Sequence, residues 1–183
     1  MSKKRFLLAL MVVALLGAVL YESEFVRKII YPKKYSEYVS KYSKEYGLDE
    51  NFVYSIIKVE SKFNEKAVSK RQAKGLMQIM DVTKEWATKE MKISNEDIFD
   101  PETNIKIGCW YLKKLFNEFD DKSLVIAAYN GGSGNVNKWL KNKEYSTDGK
   151  TLQKIPFSET SKYLDKVNKA YKIYNEIYGV ERN

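Results

Sequence analysis

Glu60 is an acidic residue at a position where the pattern calls for an apolar one. It lies seven residues after Val53, four after Ile56 and three after Ile57. On a 3.6-residue period these positions share one helical face with Phe52. A carboxylate on a buried face is costly unless it is neutral, paired or open to a cleft. Desolvation disfavours its charged form and raises its pKa. A carboxyl group that keeps its proton near neutral pH can serve as a general acid. The alternative is a frayed helix end that carries Glu60 into solvent.

Other chemistry is largely excluded by composition. The 183 residues contain no histidine and one cysteine, Cys109. Ser-His-Asp and Cys-His nucleophiles and imidazole zinc sites are therefore ruled out. A lone cysteine forms no internal disulfide and no CxxC metal or redox site. No metal site or cofactor is expected. The formal charge is +8, from 32 basic and 24 acidic residues. That field suits an anionic partner, or simply solubility. No basic patch with interleaved stacking aromatics marks a nucleic-acid binder. Nothing in the pattern fixes an oligomeric state.

Two further segments carry polar groups in apolar surroundings. Gly75-Leu76-Met77-Gln78-Ile79-Met80 embeds one amide, able to orient a polar ligand while methionine packs on a sugar ring. Ala127-Ala128-Tyr129-Asn130-Gly131-Gly132 ends a helix in a glycine turn, offering a hydroxyl and an amide at a rim. Taken singly, such stretches are usually core and helix stop.

The elements that position these groups read as mainly helical. Tyr35, Tyr38, Val39, Tyr42 and Tyr46 mark one helical face that Gly47 stops. Asp49 caps the helix bearing Glu60, which extends to about Lys62. Residues 64–74 read as a loop. Asp81 or Thr83 caps a helix through Met91. Asp100-Pro101 opens another, with Ile105, Gly108, Cys109, Leu112, Leu115, Phe116 and Phe119 as its apolar stripe, which makes Cys109 a core residue. A short helix runs from Ser123, and Ser133–Leu140 forms one more. Ser158 caps a last long helix with Tyr163, Leu164, Val167, Ala170, Tyr171, Tyr174 and Ile177 on one face. Residues 141–155 form a loop or a small hairpin around Asp148-Gly149.

The N-terminus reads as an envelope address. Lys3-Lys4-Arg5 precedes an uncharged apolar run of 15 residues, Phe6 to Leu20, before Glu22 and Glu24. A basic start and a greasy middle describe an export signal with its basic end inside. As a helix the run is roughly 22 Å long, short of the ~30 Å hydrocarbon core. No small-x-small cleavage site follows it, which favours an uncleaved anchor over a cleaved signal peptide. Residues 1–30 are thus expected to be anchor and spacer. Residues 31–183 would form one extracytoplasmic domain, attached to the membrane through residues 6–20 or secreted after cleavage.

The segments together resemble the soluble-lytic-transglycosylase catalytic domain of the lysozyme-like superfamily. The resemblance is carried by Glu60-Ser61-x-Phe63, Ala67-x-Ser69 and Gly75-Leu76-Met77-Gln78-Ile79-Met80. It continues with Asp100-Pro101-x-x-Asn104-Ile105, Gly108-x-x-Tyr111-Leu112, Ala127-Ala128-Tyr129-Asn130-x-Gly132-x-Gly134-x-Val136 and Ile155-Pro156-Phe157-x-Glu159-Thr160. The blocks keep the family's order over roughly residues 35–175. The resemblance implies a lysozyme-like, mainly α fold, α+β at most. It implies cleavage of the β-1,4 bond between N-acetylmuramic acid and N-acetylglucosamine in peptidoglycan. Glu60 would act first as acid and then as base, leaving a 1,6-anhydro end. Ser69 would contact the N-acetyl or lactyl region. Gln78 and Met80 would line the groove, and Tyr129 would hydrogen-bond near Glu60 or steady the ring. Asn130 would shape that wall, and Glu159 would bind across the groove.

Two positions depart from the family pattern. Gln72 stands where glycine is common, at a cost of about 1 kcal/mol if the backbone there needs positive φ. Asp81 stands where proline usually follows, and is expected to cap. Two rival readings remain. A hydrolytic muramidase needs a second carboxylate, for which Asp97, Asp100 and Glu159 are the candidates. A noncatalytic wall-binding module needs no acid at Glu60.

Overall fold

The computed structural model describes residues 3–94 and 97–179, except the side chains at 9, 14–16 and 18–22. Nine helices make up its regular structure, with no strands among the described residues. They are α1 (Lys3–Glu22), α2 (Glu24–Ile30), α3 (Ser36–Tyr46), α4 (Glu50–Glu60), α5 (Asp81–Met91), α6 (Pro101–Glu118), α7 (Lys122–Gly131), α8 (Ser133–Leu140) and α9 (Ser158–Tyr178). The expected mainly α architecture is what the chain adopts.

The fold is built around α4. Asp49 starts it by accepting a hydrogen bond from Phe52 N at 3.0 Å, which satisfies one orphan donor of the first turn. Phe52, Val53, Tyr54, Ser55, Ile56 and Ile57 are all buried. A helix buried on every side must be wrapped. Here α9 lies along α4, α3 joins α4 to α6, and α7 links α9, α8 and α6. The expected stripe was therefore too narrow, since Tyr54 and Ser55 are as buried as Ile56. Cys109 is buried in the same core, and burial pushes its thiol far above its ordinary range.

Several expected boundaries shift. α4 stops at Glu60 rather than near Lys62, because Lys62 and Phe63 both take left-handed backbone, φ 53 and 67. Asp81 is the first residue of α5 and Met80 holds the cap position. Asp81 pairs instead with Lys74, at 2.7 and 2.9 Å. Ser158 is likewise inside α9, with Phe157 at the cap position. Asp121 rather than Ser123 precedes the seventh helix and caps it through Leu124 N. No hairpin forms around Asp148-Gly149. The Asp148 carboxylate accepts from Lys150 N, Thr151 N and Thr151 Oγ1, closing a compact loop. The only β-type pairing among the described residues lies in the segment expected to be loop, where Lys74 bridges both Val68 and Ile79.

At the N-terminal side, α2 sits against α9. Arg27 pairs with Glu176, and Lys58 Nζ donates to the Ile30 carbonyl at 2.5 Å. Tyr174 and Tyr178 donate to the carbonyls of Pro32 and Tyr31. Among the described residues no helix is long and apolar enough to cross a membrane.

Candidate active site

Glu60 occupies the last turn of α4, where the buried helix reaches a surface groove. The turn is locked rather than frayed. Ser61 Oγ accepts from Phe63 N at 3.1 Å, and the buried Phe63 ring stacks obliquely on Tyr54. The helix C-terminus is the negative end of the macrodipole and disfavours a carboxylate. Burial does so more strongly. It raises the Glu60 pKa to about 7, against a hydrogen bond from Tyr163 that lowers it, with the negative charge of Glu159 adding to the rise. Tyr163 Oη donates to Glu60 Oε1 at 2.6 Å.

The groove is a cavity of about 490 Å³ lined by Glu60, Ser69, Gln78, Met80, Tyr129, Asn130 and Glu159 together with Lys70, Arg71 and Ala73. It thus gathers all seven residues singled out in the sequence. The Ser69 hydroxyl accepts from Arg71 N and Ala73 N at 3.2 and 3.1 Å, and retains its own hydrogen to donate. Gln78, at φ 51, directs its amide nitrogen to the carbonyls of Ala67 and Gly75. That leaves its oxygen as an acceptor. Asn130 Oδ1 accepts from Thr160 Oγ1 at 2.8 Å, leaving its amide N–H groups. Tyr129 lines the same cavity as Glu60. Its hydroxyl donates to the Met77 carbonyl at 2.8 Å, and Tyr163 makes the contact to Glu60. Glu159 pairs across the groove with Arg71 at 3.1 Å.

The Gly75–Met80 wall of the groove hangs on Asn104, a fully buried residue of α6. Its Oδ1 accepts from Met77 N at 2.7 Å, and its Nδ2 donates to the carbonyls of Lys74 and Ile98 at 3.0 and 2.9 Å. Gly75, at φ 76, lies so close that an added Cβ would meet Asn104 Nδ2 at 2.2 Å. The Gly75–Met80 segment therefore needs its glycine both for backbone conformation and for this approach.

Residues 37–152 match the Transglycosylase SLT domain. The chain belongs to this family. It is 35% identical over 143 residues to the soluble lytic murein transglycosylase of Escherichia coli K12, covering 75% of this chain and 22% of that protein. It is 35% identical over 170 residues to the membrane-bound lytic murein transglycosylase C of Photorhabdus laumondii, covering 78% of this chain and 47% of that protein. The structure superposes with TM-score 0.71 on the lytic transglycosylase Slt of Pseudomonas aeruginosa, at 31% identity, covering 81% of this chain and 25% of that one. That structure is of an inactive mutant in which glutamate is replaced by glutamine. The SLT chain described here spans between a fifth and a half of the length of these relatives. Glu159 and Tyr163 fall beyond the segment that matches the family.

Three groups that shape this SLT site are not marked as such by the sequence pattern. Tyr163 sits within an apolar stripe and reads as core, which its ring is, while its hydroxyl serves Glu60. Asn104 stands in the sequence only as part of a motif. Its spacing, four residues before Gly108 and eight before Leu112, puts an amide on the face of the α6 apolar stripe. Arg71 lies in a polar loop with no periodicity to distinguish it.

Proposed function

We propose that this chain is a peptidoglycan lytic transglycosylase. It would cleave the bond between N-acetylmuramic acid and N-acetylglucosamine and leave a 1,6-anhydro-muramoyl end. The observation that carries the reading is the Glu60 carboxyl, desolvated at the floor of a groove with its pKa raised to about 7. Such a group is protonated often enough to act as an acid and basic enough to act next as a base. In the first step Glu60 gives its proton to the bridging oxygen. In the second it takes the proton of the muramoyl C6 hydroxyl as that oxygen closes on C1. The substrate's own N-acetyl oxygen relieves positive charge at C1. Tyr163 holds the carboxylate between steps. Ser69 would donate to the N-acetyl or lactyl group, while Gln78 and Met80 border the scissile bond. Tyr129 braces the wall through Met77, Asn130 offers its amide, and Glu159 binds from the far side.

The same cavity bears on hydrolysis. A muramidase needs a second carboxylate to hold water on the opposite face. Asp97 and Asp100 line a different cavity, where they cap Phe99 N and Thr103 N. Glu159 is in the groove but already engaged by Arg71. A one-carboxylate mechanism suits that arrangement. Mass spectrometry of digested peptidoglycan tests it. Anhydro ends support transfer, and reducing ends carrying one more water refute it.

The reading extends to location. The substrate lies outside the cytoplasm, and residues 6–20 would hold the protein to the cytoplasmic membrane. Helix α1 has 20 residues, so its basic and acidic flanks bring it to about 30 Å. A relative named as membrane-bound is consistent with this. Release of the full chain from membranes by carbonate washing would refute the anchor.

A further inference from the structure

We propose that the glycan groove continues past Met80 onto the first turns of α5, where Val82 and Trp86 form a shelf for a further saccharide ring of the same strand. The inference rests on reading the Glu60 groove as a glycan site. Met80, Val82 and Trp86 are 44, 66 and 46% exposed. Outside α1 and α2, the other exposed large apolar side chains among the described residues are Val68 and Phe157. Val68 adjoins Ser69, and Phe157 is two residues from Glu159. Exposed apolar surface in this domain is thus concentrated around the groove, which isolated surface hydrophobics would not do.

The shelf is continuous with the groove in two ways. Met80 is both groove wall and α5 cap residue. Val82 and Trp86 are four residues apart, hence on one helical face. Trp86 lies about 9 Å along the axis from Met80 at the ordinary helical rise. A row of rings supports it from behind. Trp86 meets Trp110 edge-on at 4.8 Å and Tyr111 at 6.3 Å, and Tyr111 packs on the groove residue Tyr129 at 5.5 Å. The indole is therefore held in place while about half of it stays open.

Its polar neighbours select a sugar over a purely apolar partner. Asp81 lies between Met80 and Val82 in sequence and holds Lys74 in an ion pair, with the Asp81 side chain 58% exposed. An apolar helix or acyl chain laid over the shelf would strip water from that pair without replacing its hydrogen bonds. A pyranose ring offers an apolar C–H face to the indole and hydroxyls at its edge to the ion pair.

The test uses the full chain in nanodiscs, made inactive by Glu60→Gln, titrated with chitobiose and chitohexaose. Trp86→Ala in that background is expected to weaken hexamer binding about fivefold, equivalent to about 1 kcal/mol, and to leave the dimer unchanged. Val82→Asp, at a position two-thirds exposed, is expected to show the same selective loss without disturbing the rings behind Trp86. Unchanged hexamer affinity in either variant overturns the shelf, as does equal weakening of dimer and hexamer. A change of oligomeric state with both affinities preserved would assign the surface to a second copy and also overturn it. Failure of the parent to bind either oligomer, with no muropeptides released by the unmutated chain, would instead remove the glycan reading itself.

Discussion

Tyr163 on α9 donates its hydroxyl to the carboxylate of Glu60 at the end of α4, at 2.6 Å and across 103 residues of chain. The contact joins the two helices that form the centre of the fold. It also opposes burial. Desolvation holds the Glu60 proton on, while the hydrogen bond stabilises the ion that forms when the proton leaves. The proposed role of Glu60, first acid and then base, calls for both influences.

Tyr163→Phe removes the stabilisation of the ion and keeps the ring. The Glu60 pKa then rises further. Activity that depends on protonated Glu60 falls as pH climbs through that pKa, near 7 in the unmutated protein. The basic limb of kcat/KM should therefore move upward, by about one pH unit for a charge-assisted hydrogen bond. A pH series on purified sacculi measures it. A limb that stays in place would mean the hydroxyl does not act on Glu60.

Glu60→Gln should abolish cleavage and also stabilise the fold, with a characteristic pH dependence. The Glu60 pKa rises from 4.5 to about 7 on folding. For an acid raised in this direction, stability is full below the unfolded value. It is lost as pH rises toward the folded value, and the loss is constant above it. The shift corresponds to about 3 kcal/mol at pH 8. The glutamine variant carries no such penalty, so its melting temperature should match the parent at pH 4 and exceed it by several degrees at pH 8. Parallel melting curves across that range would place the carboxyl in solvent.

The sequence revealed the helices and the acid because both leave periodic marks. Glu60 was visible because it interrupts a regular apolar face, and the α6 stripe through Ile105, Cys109 and Leu112 is buried as its spacing requires. What escaped depends on partners distant in the chain. Tyr54 and Ser55 are buried because α4 is wrapped by other helices, which its own pattern cannot encode. Ser158 and Asp81 are competent caps in isolation, yet Phe157 and Met80 occupy the cap positions. An Asp-Gly pair suits a hairpin, but the Asp148 carboxylate satisfies three donors of its own loop and no strands form. Tyr163 shows the limit most clearly, since helical spacing marks a buried ring and says nothing of where its hydroxyl points.

Asn104→Ala should be among the most damaging changes outside the groove. It deprives Met77 N and the Ile98 carbonyl of their buried side-chain partner, while the Lys74 carbonyl keeps its bond from Ile79 N. Unsatisfied buried groups cost about 1–3 kcal/mol each, so a total loss of about 4 kcal/mol is expected. Because the freed segment carries Gln78 and Met80, cleavage should fall even at temperatures where the variant is folded. Denaturant melts paired with muropeptide release check both effects. A variant as stable as the parent would show that water replaces Asn104 without loss.

Gln72 tests a different kind of energy, stored in the backbone. It adopts φ 63 at the turn between Ser69 and Ala73, donating its N–H to the Ser69 carbonyl at 3.0 Å. A residue with a Cβ pays about 1–2 kcal/mol in that conformation. Gln72→Gly relieves the strain but adds about 0.4–1 kcal/mol of unfolded-chain entropy. The net expectation is a gain of about 0.5 kcal/mol, or a rise in Tm of about 1–2 °C. Gln72→Val moves in the opposite direction, since a β-branched side chain is worse still at positive φ. Its loop must rearrange, carrying with it Ser69 and Arg71, so melting temperature and cleavage should fall together. Calorimetry on the two variants gives the order glycine, glutamine, valine if the turn is strained as described. Valine equal to glutamine would mean that the loop relaxes to negative φ in solution, and the Ser69 hydroxyl would then lose the Arg71 and Ala73 N–H groups that fix it in the groove.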